Sequence, residues 1–303
     1  MNVIETHSLT KYYGKSRGII DVDLEIAEGE IFGFIGPNGA GKSTTIRTLL
    51  GLIRPTSGNG SIFGLDIIKD TKTIKKRIGF LPSEVNFYDR MCVRELLEYS
   101  ARFYGLGCHD RIQDLAEAFS LDLDRRFFDL SRGNKKKVAI LQCLIHWPRL
   151  LILDEPTSGL DPLMQAEFFR ILKKENEKGV TVFFSSHTLS EVQKMCKRVG
   201  IIKEGKILKV EDIEGLRKKQ LRKIQLELGT ADRGGPVSCA GIVSSQSNSH
   251  GLSFMFSGHM SELLHALRER DVVDLIIEEP TLEEIFLHYY EDSSSQAEGS
   301  GAS

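Results

Sequence analysis

One nine-residue segment, at 36–44, constrains the fold of this chain more than any other feature of its sequence. It fits the pattern G-x-x-x-x-G-K-[ST], in which glycines let successive backbone N–H groups turn inward around phosphate oxygens. The segment 30–35, apolar after Glu30, precedes it and helical spacing follows at 43–52, so we expect a buried strand, a P-loop and a helix N-terminus. The predicted nucleotide-binding residues are Gly36, Pro37, Asn38, Gly39, Ala40, Gly41, Lys42, Ser43 and Thr44.

Two side chains of this segment have specific roles in a P-loop. Lys42 would place a positive charge at the β- and γ-phosphates, and the Ser43 hydroxyl would be a ligand of Mg²⁺. The predicted cofactors are therefore ATP and Mg²⁺. Because such a pattern arises by chance about once per hundred chains of this length, the rest of the sequence must supply the partners of the loop.

The overall composition restricts the class of protein. The 303 residues carry a net charge of −2, and a nucleic-acid partner requires a basic surface, so we predict no nucleic acid. The five cysteines form no C-x-x-C pair, which argues against a zinc site or a disulfide framework and favours a reducing compartment. The N-terminus lacks a signal peptide, and no apolar run approaches the ~20 residues that cross a bilayer. We expect another chain to cross any membrane on which this protein acts.

Hydrophobic periodicity divides the chain into parts. We predict an α/β P-loop domain at 1–215, with a helical insertion subdomain at about 84–146. A small C-terminal α+β module should follow at 216–290, and the Ser/Gly/Ala-rich tail at 291–303 is predicted to be disordered.

Local patterns within these parts predict individual elements. Apolar runs at 150–153 and 180–184 flank a helical segment, which predicts a parallel βαβ crossover covered on both faces. Capping boxes at 188–191 and 281–284 predict helices that end near Arg198 and Tyr290 respectively.

Two acids follow the apolar run at 150–153. Asp154 stands where a carboxylate would hold Mg²⁺ through its water shell, and Glu155 lies beyond the strand end, where it could orient an attacking water. An acidic strand cap is the simpler alternative, but a P-loop elsewhere in the chain favours the catalytic interpretation. His187 follows the run at 180–184, at the strand end where α/β sheets bind ligands. The other seven histidines show no ligand spacing, so we predict structural roles for them.

Five motifs occur in one order: the P-loop, Leu-Ser-Arg-Gly-Asn at 130–134, the acids at 154–155, the segment 158–161 and His187. Over residues 1 to about 215 this order resembles the ATPase subunit of an ABC transporter. The resemblance implies that Glu155, His187 and Lys42 are catalytic, with His187 contacting the γ-phosphate.

The resemblance also implies a paired arrangement. Ser131 and Gly133 match the signature that closes on ATP held by a second ATPase subunit, and Asp161 matches the loop that communicates across that dimer. We expect a homodimer, with a heterodimer as the alternative. Tyr13 aligns with the aromatic residue that stacks on adenine, although a surface turn tyrosine is an open alternative because Tyr12 is adjacent.

Two positions depart from the family pattern. The signature, usually L-S-G-G-Q, has Arg132 and Asn134 in place of Gly and Gln. The loop that usually offers a Gln to Mg²⁺ has Ser83, which would reach the metal only through water. The Lys run at 135–137 is predicted to be a solvated helix face.

The C-terminal segment 279–287 is similar to the ending of bacterial ATPase subunits that serve drug, antibiotic or peptide exporters. Those chains pair with an integral membrane permease on a separate chain, which implies a cytoplasmic protein held peripherally at the membrane. Two alternatives remain open: an ATPase of a sensing or immunity complex at the membrane, and a soluble ABC-type ATPase without a permease.

Overall fold

The computed structural model describes residues 1–85, 90–105, 107–213, 222–229, 237–248, 251–268, 270–278 and 280. The chain divides into two units, Met1–Val210 and Glu211–Ser303. The strands up to the unit boundary are β1 (Asn2–Tyr13), β2 (Ser16–Ala27), β3 (Ile31–Ile35), β4 (Ser57–Ile62), β5 (Leu65–Asp66), β6 (Ile78–Leu81), β7 (Leu150–Asp154), β8 (Thr181–Ser186), β9 (Arg198–Lys203) and β10 (Lys206–Asp212). The helices are α1 (Lys42–Leu49), α2 (Thr71–Lys75), α3 (Val93–Arg102), α4 (His109–Ala118), α5 (Arg132–Leu144), α6 (Pro162–Glu177) and α7 (Leu189–Met195).

The central sheet of the first unit has the order β10-β9-β3-β8-β7-β6. Its pairs β3–β8, β3–β9, β6–β7 and β7–β8 are parallel. Every residue of β3, β7 and β8 is buried, which explains their unbroken apolar runs. The predicted βαβ crossover is present as β7–α6–β8. Because parallel strands end at one edge, the residues after β3, β7 and β8 come together there.

A second sheet packs the N-terminal strands in the order β2-β1-β4-β5, with antiparallel pairing. The helices α3, α4 and α5 lie between β6 and β7 in the chain, inside the predicted helical insertion. The amphipathic α3 buries Leu96 and Leu97 and packs against α5, and α5 packs on β6.

One ion-pair cluster joins the helical insertion to the sheet domain. Arg111 of α4 lies 2.8 Å from the Glu175 carboxylate of α6, and Lys178 lies at the same distance. Burial by itself would raise the pKa of Glu175, but hydrogen bonds from Lys178 and Arg111 hold that pKa below its ordinary value. The carboxylate is thus stabilised in its charged form.

Replacing Glu175 by Gln should lower the free energy of unfolding by about 3 kcal/mol at pH 7, because the partly buried Arg111 loses the counter-charge of a buried carboxylate. Since the pKa of Glu175 is lowered in the folded state, its contribution is present above pH 4.5 and is lost as the pH falls below that value. The difference between wild type and Glu175→Gln should therefore shrink at pH 3.5 in urea titrations. Glu177 is an exposed position on the same helix, so Glu177→Gln should leave the free energy of unfolding unchanged at both pH values.

The predicted capping box at 188–191 is wrong. Thr188 is the N-cap of α7, but its side chain makes no capping bond. Instead, the Ser186 hydroxyl donates to the Glu191 carboxylate at 2.7 Å and accepts from the Thr188 N–H at 2.9 Å. The helix ends at Met195 rather than near Arg198, because Cys196 is extended and leads into β9.

The second unit contains β11 (Arg222–Leu228), β12 (Ile242–Asn248), β13 (Gly251–Phe256), β14 (Val272–Glu278) and the helix α8 (Met260–Leu267). Its sheet has the order β12-β13-β11-β14 and its pairs are antiparallel. The core contains Ile224, Leu226, Phe254, Phe256 and Leu263, as the alternation in the sequence predicts for half-exposed strands. The capping box at 281–284, the last helix and the tail at 291–303 lie outside the described residues.

Candidate functional site

The P-loop runs from the end of β3 into the first turn of α1. Two of its glycines are required by geometry. A Cβ on Gly36 would lie 2.3 Å from the Ile202 carbonyl oxygen, so only glycine lets the loop pass β9. Gly41 is the N-cap of α1 with φ +113°, a conformation that L side chains rarely adopt. It has no side chain to cap the helix, which leaves the N–H groups of the first turn facing the loop.

Lys42 folds back over this loop. Its Nζ donates to the carbonyl oxygens of Gly36 at 2.6 Å and Pro37 at 3.2 Å, and the residue is only 5% exposed. The same ammonium lies 3.3 Å from Oε1 of Glu155. The charge of Lys42 is therefore held at the mouth of the P-loop.

Glu155 links this ammonium to His187. Its second oxygen, Oε2, lies 3.4 Å from Nδ1 of His187, which is about half exposed. The backbone of Glu155 has φ +46°, a strained value for a residue with a side chain. Hydrogen bonds stabilise this conformation: the Glu155 N–H donates to the carbonyl oxygen of Ser185 at 3.2 Å and to its hydroxyl oxygen at 3.1 Å.

Asp154 is buried at the end of β7, directly beside Ser185 of β8. The Ser185 hydroxyl donates to Oδ1 of Asp154 at 2.7 Å and so orients the carboxylate. The sequence analysis did not assign a role to Ser185. The signal for one was the pair Ser185 and Ser186, polar residues at the end of an apolar strand where the site residues meet. The described residues contain no group of three or more His, Cys, Asp or Glu side chains that could hold a metal by themselves. The predicted ligands, the Asp154 carboxylate and the Ser43 hydroxyl, are oxygen donors of the kind that Mg²⁺ prefers. Water and phosphate oxygens would complete the coordination shell.

A cavity of about 170 Å³ lies over the P-loop. It is lined by residues 38–44, by Glu155, and by Arg17 and Gly18 of β2. A Cβ on Gly18 would lie 3.1 Å from both the Tyr13 ring and the Thr44 methyl group, so the half-exposed Tyr13 ring stands beside the loop. Lys11 lies over the Tyr13 ring at 5.4 Å. Arg17 and Gly18 are lining residues that the sequence did not indicate.

The residues predicted to act across a dimer, Ser131, Gly133 and Asp161, are not among the described residues that line this cavity. Ser131 is the exposed N-cap of α5 and accepts from the Asn134 N–H. Gly133 lies beside Gly159, whose carbonyl oxygen is 3.6 Å from the Cβ position of Gly133. Asp161 is the N-cap of α6 and accepts from the Met164 N–H at 3.0 Å.

The prediction of a solvated lysine face at 135–137 is wrong for two of its three residues. Lys136 and Lys137 are 5% and 9% exposed. The side chains lie on the packed side of α5, and each ammonium donates hydrogen bonds to backbone carbonyl oxygens. Ser83, the predicted Mg²⁺ contact, offers its carbonyl oxygen to Lys136 at 3.1 Å.

Known proteins similar to this chain identify its family. Residues 19–158 match the ABC transporter family, ABC_tran. The bacitracin transport ATP-binding protein BcrA of Bacillus licheniformis is 38% identical over 234 residues, which cover 76% of each chain. This chain belongs to the ABC transporter family. It is an ATP-binding subunit and an ATPase.

Two further similarities bear on the site. The linearmycin resistance ATP-binding protein LnrL of Bacillus subtilis (strain 168) is 36% identical, with 69% of this chain and 68% of LnrL covered. A dimeric post-hydrolysis structure of the ATP-binding cassette MJ0796, bound to ADP and Pi, aligns with a TM-score of 0.65 and 25% identity. That alignment covers 69% of this chain and 98% of MJ0796. ATPase cassettes of this family dimerise and work with membrane permeases. No helix in the described ranges is both long and apolar enough to span a membrane.

Proposed function

We propose that this chain is the ATP-hydrolysing subunit of an exporter for an antibiotic, drug or peptide, and that it powers a permease on a separate chain. The observation that carries the proposal is the chain of contacts Lys42–Glu155–His187 at the mouth of a P-loop. The similarity to bacitracin and linearmycin proteins supports the substrate class. The chain would lie at the cytoplasmic face of the membrane, held there by its permease.

In the proposed reaction, water attacks the γ-phosphorus of ATP, and ADP and phosphate are released. Backbone N–H groups of residues 38–44 hold the phosphates, and the Tyr13 ring stacks on adenine. Mg²⁺ would be held by Ser43 and, through water, by Asp154, with Ser83 near the metal, and would neutralise charge on the transferring phosphoryl group.

Glu155 and His187 act on the attacking side. In the structure the Glu155 carboxylate is shared between Lys42 and His187. A γ-phosphate would compete for Lys42 and so free one carboxylate oxygen to orient water and accept its proton. His187 would then contact the γ-phosphate while it holds the other oxygen of Glu155.

A second ATPase subunit, most simply a second copy of this chain, would complete the site. Ser131 and Gly133 lie at the start of α5 and are not among the described residues that line their own P-loop cavity. Such a position suits contacts with ATP bound to the partner, and Asp161 would lie along the same dimer interface. The similarity to a dimeric cassette supports this arrangement.

A groove in the first unit offers a surface for the permease. Its volume is about 480 Å³, and Phe80, Pro82, Leu96, Tyr99 and Phe103 are among its lining residues. Tyr99 and Phe103 are exposed and meet edge to face at 5.1 Å. Exposed aromatic pairs beside a groove are typical of protein interfaces. We propose that a cytoplasmic segment of the permease binds here.

Purification of the tagged chain from native membranes tests the proposal. We expect an integral membrane protein to co-purify, and Tyr99→Ala with Phe103→Ala to reduce its recovery at least tenfold, because an aromatic anchor often contributes about 2 kcal/mol, or about thirtyfold in affinity. Phe128→Ala is the matched control, since Phe128 is 68% exposed against 69% for Phe103 but does not line the groove. A soluble partner alone would contradict the proposed function.

A further inference from the structure

Lys136 occupies an unusual position for a lysine. It lies in the second turn of α5, the helix that Ser131 caps, and it is almost completely buried. Its ammonium donates to the carbonyl oxygens of Pro82 and Ser83, each at 3.1 Å, and of Glu155 at 3.4 Å. An ammonium has three donors, and three acceptors from two different segments are in reach. One side chain thus joins α5, the loop after β6 and the end of β7.

The contact with Glu155 has a specific consequence. The Glu155 residue is held in its strained conformation from both sides: Ser185 accepts from its N–H, and its carbonyl oxygen accepts from the Lys136 ammonium and from the Ser158 N–H at 3.2 Å. Because the carboxylate of Glu155 extends from this backbone, its direction toward Lys42 and His187 depends on both anchors. Small displacements of a reacting group can lower a rate about a hundredfold.

Burying this charge is costly, which argues against an incidental contact. Desolvation lowers the pKa of Lys136 to about 8, although the nearby Asp154 and Glu155 act in the opposite direction. An apolar side chain of the same length would avoid that cost. Residues that are unfavourable for stability yet fully hydrogen-bonded concentrate at functional sites.

We propose that Lys136 is a positioning residue that holds Glu155 in its reactive orientation and ties it to the helix carrying the signature residues. It acts through the backbone and touches neither nucleotide nor metal. This inference rests on the proposed role of Glu155. It also connects the groove to the site, because Pro82 lines the groove and shares the same ammonium.

Lys137 is a matched control on the same helix. It is also buried, and its ammonium donates to the Phe119 carbonyl oxygen at 2.9 Å, inside the helical insertion. Replacing either lysine by Met removes a buried ammonium from adjacent positions of α5 and keeps a side chain of similar length. Only the Lys136 substitution removes a contact with Glu155.

The experiment measures steady-state ATP hydrolysis, the Kd for MgADP, and thermal unfolding of the full-length chain. Lys136→Met should lower kcat ten- to a hundredfold, with KM for ATP and Kd for MgADP within about twofold of wild type. Lys137→Met should keep kcat within about twofold. Lys136→Gln, which can still donate to carbonyl oxygens, should give a kcat between those of wild type and Lys136→Met.

Three results would overturn the proposal: equal losses of kcat in the two Met variants, a loss of MgADP binding in Lys136→Met, or a kcat for Lys136→Gln no higher than that of Lys136→Met. If Lys136→Met fails to fold, Lys136→Ala against Lys137→Ala makes the same comparison, because alanine also removes the donor. Glu155→Gln is measured in parallel. Full activity of Glu155→Gln would refute the role of Glu155 itself, whereas an inactive Glu155→Gln with an unaffected Lys136→Met would refute only the role of Lys136.

Discussion

Replacing Glu155 by Gln should abolish ATP turnover while leaving MgATP bound. The amide has nearly the same shape as the carboxylate but accepts no proton, so the attacking water loses its base. Positioned general bases contribute about 10²- to 10⁴-fold to a rate, and we expect kcat to fall within that range. The P-loop contacts do not involve the Glu155 side chain except through Lys42, which would be freed for phosphate.

Two measurements check this prediction. Phosphate release should be lost in Glu155→Gln, and size-exclusion chromatography with MgATP should show a stable dimer, because ATP remains sandwiched between two copies. Glu117→Gln, an exposed position on α4, should behave as wild type. Hydrolysis by Glu155→Gln at the wild-type rate would show that another group activates the water.

Replacing Lys42 by Met should act on the other half of the reaction and weaken nucleotide binding. The ammonium is held over the loop by the Gly36 and Pro37 carbonyl oxygens, which keeps its positive charge at the P-loop mouth. Charge-assisted hydrogen bonds contribute about 1.5–3 kcal/mol, so the Kd for MgATP should rise about a hundredfold. The same change removes the counter-charge of Glu155, so kcat should fall as well.

Isothermal titration with MgADP and MgATP separates these effects. Lys72→Met, at an exposed position of α2, should leave both affinities unchanged. If Lys42→Met bound MgATP as tightly as wild type, the ammonium would not contribute to phosphate binding in the ground state. In that case its role would be confined to the transition state, and only kcat would change.

Short-range patterns predicted most of the fold correctly. The apolar runs that became β3, β7 and β8 are buried on both faces, and the alternating residues of β11 form a half-exposed strand, so in both cases periodicity was sufficient. The capping box at 188–191 failed because Ser186, just outside the motif, competes for Glu191. A local motif is reliable only where no neighbouring hydroxyl offers the same hydrogen bond.

The prediction of a solvated face for the lysine run at 135–137 was wrong for a different reason. In the sequence it has the composition of a solvated face, and nothing nearby contradicts that interpretation. Its acceptors are the Pro82, Ser83, Phe119 and Glu155 carbonyl oxygens, which are up to 54 residues away along the chain. Every residue has a backbone carbonyl whatever its side chain, so the sequence does not indicate which carbonyls accept from a lysine. Sequence patterns therefore cannot predict contacts of this kind.

The sequence by itself determined the P-loop, because its function depends on glycines and a lysine at fixed spacing within nine residues. It also determined the order of motifs and hence the family. Only the tertiary structure decided how the parts meet: that Glu155 lies between Lys42 and His187, that Ser185 and Lys136 hold its backbone, and that Ser131 is not among the described residues that line its own P-loop cavity. The physical reason is range, since local conformation follows from neighbouring residues, whereas ion pairs and backbone anchors across a parallel sheet depend on how distant segments pack.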